Sequence, residues 1–242
     1  MTGFVIFCRI GMCLSFAPGL SSPRIPMRAR LLVAIGLTVA LSPMLLQTLE
    51  PRPKDFTAIR LFALVVQESA IGATIGIMAR LVFSSLEMMF TAAAMAIGAS
   101  SSFAPRVDDG ENMPEFAAII VFAITTLLFV TNLHWEILRA VLDSYAAMPL
   151  GRPIAPQFAL SAIGDTLSFG LSAAFRLAGP FLVFGLVANF AFALVNKITP
   201  QIAIYFVSTP FILFGGLVLL HILWSDLAVK FLNDFRLWLE RM

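Results

Sequence analysis

Six charged side chains lie inside or beside otherwise apolar stretches of this 242-residue chain, and these residues have the most chemistry to offer. A charge at the centre of a membrane helix costs about 3 kcal/mol, so such a residue pairs, faces water or meets a polar partner. We predict that Glu68, Arg80 and Arg176 pair within the chain or between subunits. The full set is Arg9, Glu68, Arg80, Glu87, Arg176 and Lys197.

Residues that could perform catalysis or bind a metal are not arranged for either. His134 and His221 have no second ligand at metal spacing, and no nucleotide-binding or hydrolase motif occurs. The acidic segment 108–112 lacks the ligand ladder of a calcium loop. Cys8 and Cys13 share one apolar run and indicate packing rather than a disulfide framework. We therefore predict a non-enzymatic protein with no catalytic residues, no metal and no cofactor.

The elements that carry these charges read as membrane helices. The chain is 60% hydrophobic and 12% charged, whereas about a quarter of a soluble domain is charged. The period-two alternation of a membrane barrel is absent, and a net charge of +2 gives no nucleic-acid footprint. We predict an all-α integral membrane protein of six or seven helical segments. Its charge-free runs are 31–49, 88–105, 116–135, 177–196 and 198–225.

The basic residues of the first two connections conflict with a simple topology. One connection carries Arg24, Arg28 and Arg30, and the next carries a second basic group in the range 52–60. The positive-inside rule assigns both connections to the cytoplasm, yet a single crossing separates opposite sides. We therefore predict that the helices do not simply cross the bilayer one by one. The N-terminus has no basic region before its apolar run, so we expect no cleaved signal peptide.

Small residues at four-residue spacing indicate close contacts between helices. Gly72 and Gly76 form a GxxxG pattern, and Ala94 and Gly98 repeat the spacing. Such residues let backbones approach and gain dispersion contacts that lipid cannot replace. We predict that Gly72, Gly76 and Gly98 lie at tight helix packing contacts.

Two further segments combine apolar and charged faces. In the segment 134–145, Glu136, Arg139 and Asp143 share one face at spacings of three and four residues. Near the C-terminus, Lys230 and Asp234 are spaced for an ion pair. We interpret both segments as amphipathic helices that lie at a membrane surface or against a partner.

Four stretches in order along the chain resemble the FliR family of flagellar export-gate proteins, which is akin to the SctT proteins of virulence type III secretion. The first begins R-I-G and continues to A-P and a run of basic residues, and the second carries E-x-x-x-G-x-x-x-G. The third ends in P-L-G, and the fourth contains P-Q and then G-G-L. They span 9–43, 68–88, 132–151 and 177–220. The resemblance therefore covers nearly the whole chain. Compared with the family pattern, the first helix is shorter at its N-terminal end.

The resemblance implies a single membrane export-gate domain over 1–242. Its FliP-like N-terminal part is 1–167 and includes a plug loop at 100–115. Its FliQ-like C-terminal part is 168–242, with helical hairpins and a C-terminal amphipathic helix. Such a chain joins FliP-like and FliQ-like subunits and an FlhB-like protein in a channel for unfolded export substrates. The expected location is the flagellar basal body in the bacterial inner membrane.

The resemblance also assigns a role to the polar break between two apolar runs. Six of its residues match the family's plug, and Phe103 and Met113 are the bulky members that would block the lumen. Methionine suits this task because it is flexible and polarizable. The alternative is a solvent-exposed loop between helices. The matched residues are Phe103, Val107, Asp108, Asn112, Met113 and Pro114.

Three other functions stay open at this point. The chain could serve a virulence type III system rather than a flagellum. It could be a secondary transporter for a small solute, with Glu68 and Arg176 at a midplane site, although no inverted repeat is visible. It could also be an assembly scaffold that takes no part in the lumen.

Overall fold

The computed structural model describes residues 2–21, 25–48, 58–99, 114–151, 156–199 and 204–240. Within these ranges the regular elements are helices, and this confirms the predicted all-α membrane fold. In chain order they are α1 (Thr2–Phe16), α2 (Met27–Thr48), α3 (Ala58–Ala96), α4 (Glu115–Val130), α5 (Leu133–Ala147), α6 (Pro156–Ile198) and α7 (Ile204–Leu239).

Several of these helices are long and apolar enough to cross a bilayer. In the described part of the chain, α2, α3, α6 and α7 qualify, and α4 with α5 would supply a fifth span. The helices α3, α6 and α7 contain 39, 43 and 36 residues. At 1.5 Å per residue they are about 54–65 Å long, whereas the hydrocarbon core is about 30 Å thick. Each therefore exceeds the length of one upright crossing.

Charges and prolines leave these long helices unbroken. Helix α3 continues through Glu68, Arg80 and Glu87, and the C-terminal charged segment continues α7 rather than forming a separate helix. Pro180 and Pro210 lie inside α6 and α7. Membrane helices tolerate such prolines because neighbouring groups satisfy the freed carbonyls.

Two compact units, which we describe separately, make up the chain. Unit 1 comprises Met1–Val82, Thr131–Leu167 and Trp238–Met242. In it, α1 packs on α2 and α5. Its apolar core is formed by fully or nearly fully buried side chains of these helices and of α3: Ile6, Ile10, Cys13, Ile71, Ala79 and Val141.

Unit 2 comprises Phe83–Val130 and Ser168–Leu237, and aromatic contacts organise its core. The Phe83 ring meets Phe231 and Phe235 edge-on, with centroids 5.2 and 5.4 Å apart. The Phe181 ring meets Phe90 and Phe116 at 5.8 and 5.7 Å. Such edge-to-face pairs contribute about 0.5–1.5 kcal/mol beyond burial. They join α6 and α7 to the second part of α3, and α4 to α6.

Because the two units draw on interleaved segments, the division of the sequence at 167 and 168 into FliP-like and FliQ-like parts stays a prediction. Helix α5 is amphipathic. It buries Leu133, Ile137, Val141 and Tyr145. Arg139 and Asp143 are exposed, and Arg139 Nε lies 3.9 Å from Asp143 Oδ2.

Candidate functional site

The predicted plug lies almost entirely outside the described residues. This applies to Phe103, Val107, Asp108, Asn112 and Met113. Pro114 is the described member of the set. Its side chain is buried, and its carbonyl accepts a hydrogen bond of 3.0 Å from the Ala118 amide in the first turn of α4. The C-terminal end of the predicted plug loop therefore continues directly into α4.

The described residues that bear the most chemistry surround Arg9 in unit 1. The Arg9 Nε donates to Glu68 Oε2 over 2.6 Å, and both side chains are completely buried. Arg9 belongs to α1 and Glu68 to α3, so the ion pair joins two helices across 59 residues of sequence. Isolated buried charges cost several kcal/mol of desolvation, which their mutual attraction offsets only while both are present.

Helix α5 and its C-cap residue Met148 supply the remaining partners of Arg9. The Nη1 atom donates to Ser144 Oγ at 3.0 Å, and Nη2 donates to the Met148 carbonyl at 3.1 Å. The guanidinium lies 3.8 Å from the centroid of the Tyr145 ring, which is a cation–π contact. We call Arg9, Glu68, Ser144, Tyr145 and Met148 the arginine cluster. It joins α1, α3 and the end of α5 through one cation.

Two buried oxygens of the arginine cluster have no hydrogen-bond partner among the described residues. They are Glu68 Oε1 and the Tyr145 hydroxyl. Buried polar atoms normally find a partner in protein or in ordered water. Both atoms belong to side chains that contact Arg9. The arginine cluster therefore contains buried polar atoms in addition to those of the ion pair.

Glycines bring the backbones of α1 and α3 together beside this cluster. A Cβ at Gly72 would overlap the carbonyl oxygen of Arg9, and one at Gly76 would lie 2.5 Å from the carbonyl oxygen of Cys13. Glu68, Gly72 and Gly76 are four residues apart, so they share one face of α3. Gly72 contacts Arg9 and Gly76 contacts Cys13, so residue numbers increase in the same direction along both helices. Helix α1 and this part of α3 are therefore parallel. The close approach brings the Arg9 side chain within reach of Glu68.

The spacing of Gly98 predicted a close packing contact, but its backbone conformation is the feature that favours glycine. Its φ is +73°, and a Cβ there would meet Thr209 at an ordinary 3.7 Å. The Gly98 amide donates to the Met95 carbonyl, and the Ala99 amide donates to Ala94. This pair of bonds is the Schellman motif that ends a helix on a left-handed glycine. Gly98 therefore terminates α3, and the backbone conformation rather than close packing favours glycine.

The other two predicted charges have polar partners of different kinds. Arg176 donates to Asp234 at 3.0 Å in unit 2, with 66% of the Arg176 side chain exposed. Asp234 thus meets α6, although its spacing suggested Lys230. In unit 1, Arg80 donates to the Ser21 hydroxyl at 2.6 Å. Exposed ion pairs such as Arg176–Asp234 contribute about 0–1 kcal/mol, whereas removal of one partner of a buried pair such as Arg9–Glu68 costs about 3–5 kcal/mol.

Sequence reasoning missed a second close helix contact, which lies in unit 2. The Asn189 amide donates to the carbonyls of Ala96 and Gly185, each at 2.7 Å. A Cβ at Gly185 would lie 2.7 Å from the same Ala96 oxygen. Gly185 and Asn189 are four residues apart on α6, so the glycine makes room and the asparagine satisfies the end of α3. A glycine followed by an amide at this spacing is the signal that could have indicated the contact.

A metal centre is not apparent in the described ranges. No group of three or more His, Cys, Asp or Glu side chains there could hold a metal ion. The arginine cluster combines a cation, a carboxylate and hydroxyls, yet it is sealed from solvent by complete burial of Arg9 and Glu68. What it can do chemically is fix helices, since a substrate has no access to it.

Comparison with known proteins gives a consistent family assignment. The family described as bacterial export proteins, family 1, matches residues 1–237. Flagellar biosynthetic protein FliR of Caulobacter vibrioides is 29% identical over 232 residues, which are 96% of this chain and 92% of that protein. FliR of Escherichia coli K12 is 27% identical over 224 residues, with coverage of 91% and 83%.

A third relative agrees. FliR of Pectobacterium carotovorum is 24% identical over 221 residues, which cover 90% of this chain and 82% of that protein. Since the family match extends along nearly the entire chain, the protein belongs to the bacterial export proteins, family 1, which is the FliR family.

Proposed function

We propose that this chain is a subunit of the flagellar type III export gate and forms, with FliP-like and FliQ-like subunits, the channel for unfolded export substrates. An FlhB-like protein would join this complex in the bacterial inner membrane at the flagellar basal body. Membership of the FliR family makes this chain a membrane-embedded component of flagellar protein export with a structural or transport role. The named relatives are all flagellar, which favours this system over a virulence system.

The surface of α6 is the observation that carries the proposal. The part of α6 that belongs to unit 1 exposes three large apolar side chains over about 14 Å of helix. Asp165 is exposed on the same stretch. Lipid would penalise this charge by about 3 kcal/mol, and water would penalise each large apolar group by about 1.5–3 kcal/mol. A neighbouring protein surface can satisfy both kinds of group. The apolar residues are Phe158, Leu160 and Leu167.

The rest of α6 and the start of α7 differ from this mixed surface. Exposed large apolar residues extend from Val183 to Ile198 on α6 and from Phe206 to Ile222 on α7. These bands are about 23 and 24 Å long, so they suit a hydrocarbon core of about 30 Å or apolar subunit surfaces. We infer that only part of each long helix contacts lipid. This agrees with the first two connections, whose basic residues assign both to the cytoplasm although one helix lies between them.

The arginine cluster would then act as a structural joint of the gate. A channel for a moving polypeptide needs helices that keep their positions while the obstruction is displaced. The buried Arg9–Glu68 pair and the glycine contacts of Gly72 and Gly76 fix α1 to α3. In this account the plug residues from Phe103 to Met113 move, and Pro114 at the first turn of α4 anchors the loop.

Site-specific photo-crosslinking tests the subunit role. The chain is expressed with FliP-like and FliQ-like proteins, and a photoreactive residue replaces Phe158 or Leu167. We expect crosslinks to those subunits from both positions, because the mixed surface is covered by protein. Val187 is the matched control, since it is comparably exposed on the same helix but lies in the part of the band from Val183 to Asn196 that carries no charge. The central proposal fails if the chain purifies as a stable monomer that never co-purifies with either subunit type.

A further inference from the structure

The two buried oxygens of the arginine cluster that lack a protein partner point to a ligand from outside the chain. Glu68 is 0% exposed and Tyr145 is 6% exposed, so bulk solvent does not hydrate them. Among the described residues, neither Glu68 Oε1 nor the Tyr145 hydroxyl has a hydrogen-bond partner. Native proteins rarely bury such atoms without a partner, because the lost hydration is not compensated. Two of them in one cluster indicate a shared partner.

Both oxygens belong to groups that contact the guanidinium of Arg9. The other oxygen of the Glu68 carboxylate accepts from Arg9 Nε at 2.6 Å. The Tyr145 ring, which carries the hydroxyl, has its centroid 3.8 Å from the guanidinium carbon. The two oxygens therefore lie in the immediate surroundings of one cation, in the core of unit 1.

The hydrogen-bond donors of Arg9 are not all used by its described partners. A guanidinium has five N–H groups. Three of them donate, to Glu68 Oε2, to the Ser144 hydroxyl and to the Met148 carbonyl. The Ser144 hydroxyl donates in turn to the Val141 carbonyl. The part of the cluster that the structure describes thus combines N–H donors on Arg9, an acceptor on Glu68 and a hydroxyl that can both donate and accept.

This combination selects the chemical class of the ligand. An anion would be attracted by Arg9, but the Glu68 carboxylate would repel it, and it has no hydrogen to offer to Oε1. A metal cation would bind Oε1, but Arg9 would repel it. A neutral molecule that both donates and accepts satisfies the carboxylate and the guanidinium together. The complete burial of Arg9 and Glu68 favours the smallest such molecule, which is water.

We propose that the arginine cluster binds one ordered water molecule. The water donates to Glu68 Oε1, and it accepts from the Tyr145 hydroxyl and from one of the two remaining N–H groups of Arg9. Three hydrogen bonds are the usual number for a buried water. The water is then a further link between α1, α3 and α5. This inference concerns the chain alone and does not depend on the export function proposed above.

The sign of one stability change tests the role of the hydroxyl. Tyr145→Phe keeps the ring over Arg9 and removes the hydroxyl alone. If water binds the hydroxyl, the melting temperature of the full chain in one detergent should fall by about 2–4 °C, the shift that one net hydrogen bond produces at this chain length. Removal of a buried hydroxyl without a partner would instead relieve a desolvation cost. An unchanged or raised melting temperature would therefore overturn the proposal.

Two comparisons make this test specific to the water. Thr74→Val is the matched control on α3, because the Thr74 hydroxyl donates to the Ala70 carbonyl of its own helix; this variant should melt close to wild type. In a background with Arg9→Met and Glu68→Leu, the water loses both charged partners. Tyr145→Phe should then no longer lower the melting temperature, since groups in one hydrogen-bond network are not additive. An equal fall in both backgrounds would contradict a water shared with Arg9 and Glu68.

A structure of the wild-type full chain, at a resolution that shows ordered waters, tests the proposal without any substitution. We expect a water at hydrogen-bond distance, about 2.5–3.0 Å, from both Glu68 Oε1 and the Tyr145 hydroxyl. A direct hydrogen bond between these two oxygens would overturn the proposal, and so would a map that shows no water beside either of them.

Discussion

Removing the negative charge of Glu68 should destabilise the protein strongly, because Arg9 would remain buried without its counter-ion. Glu68→Gln keeps the size of the side chain and removes the 2.6 Å ion pair between two fully buried groups. Breaking such a pair by changing one partner costs about 3–5 kcal/mol. Ser144, the Met148 carbonyl and the Tyr145 ring still contact Arg9, so we expect the lower end, about 3 kcal/mol.

The assay is thermal unfolding of the purified protein in one detergent. A loss of about 3 kcal/mol corresponds to roughly 6–12 °C for a chain of this size. Asp143→Asn is the matched control, since that carboxylate pairs with Arg139 at the surface of the same unit with 76% of its side chain exposed. An exposed pair at this helical spacing contributes about 0.3–0.5 kcal/mol, so this variant should unfold close to the wild-type temperature.

A double variant separates the buried charge from the shape of the site. Arg9→Met combined with Glu68→Leu removes both charges, and such replacements of buried pairs are often neutral or stabilising. We expect it to recover most of the stability that Glu68→Gln loses. The reasoning is refuted if Glu68→Gln unfolds at the same temperature as Asp143→Asn, or if the double variant is as unstable as the sum of the single changes.

Three other changes test the helix contacts by the same unfolding assay. Gly72→Ala should destabilise, because its Cβ overlaps the Arg9 carbonyl, whereas Gly36→Ala meets nothing within 4 Å and should stabilise by up to about 1 kcal/mol; equal effects would contradict the close approach. Gly98→Ala should lose about 1–2 kcal/mol through its left-handed φ, and no loss would refute the Schellman ending. Asn189→Ala should lose roughly 0.5–1.5 kcal/mol because the Ala96 carbonyl loses a hydrogen bond, and a neutral result would show that another group satisfies that oxygen.

Local sequence patterns predicted the helices and one of their contact faces. The charge-free runs gave the membrane class, and the four-residue spacing of Gly72 and Gly76 indicated a close contact that the structure places against α1. Glu68 on the same face was expected to pair. Its partner could not be assigned from spacing, because Arg9 lies 59 residues away and the bond depends on how α1 packs.

Other features depend on geometry that spacing does not encode. Gly98 shares the pattern of a packing glycine, yet its positive φ reflects the end of α3. Asn189 lies in a charge-free apolar run where its spacing indicates no partner, and it satisfies a carbonyl at that same helix end. Asp234 was spaced for Lys230 on its own helix, whereas the packing of α6 on α7 brings Arg176 to it. In each case a neighbour distant in sequence determines the contact.

Deleting the segment 102–112 tests the plug while leaving the described helices intact. We expect a complex that still assembles but leaks ions or small molecules across the membrane, since the obstruction is gone. Measurement of membrane permeability together with co-purification distinguishes a plug from a scaffold. Unchanged permeability with normal export would contradict the assignment of Phe103 and Met113 to the gate.

The most direct test of the channel is crosslinking to an export substrate that is arrested in the assembled gate. A photoreactive residue at Phe103 or Met113 should crosslink to the arrested polypeptide, and one at Val187 in the apolar band of α6 should not. The account predicts this contrast because the substrate would displace the plug on its way through the lumen. Absence of substrate crosslinks at both plug positions, in a complex that still exports, would contradict the proposal that this chain conducts unfolded protein.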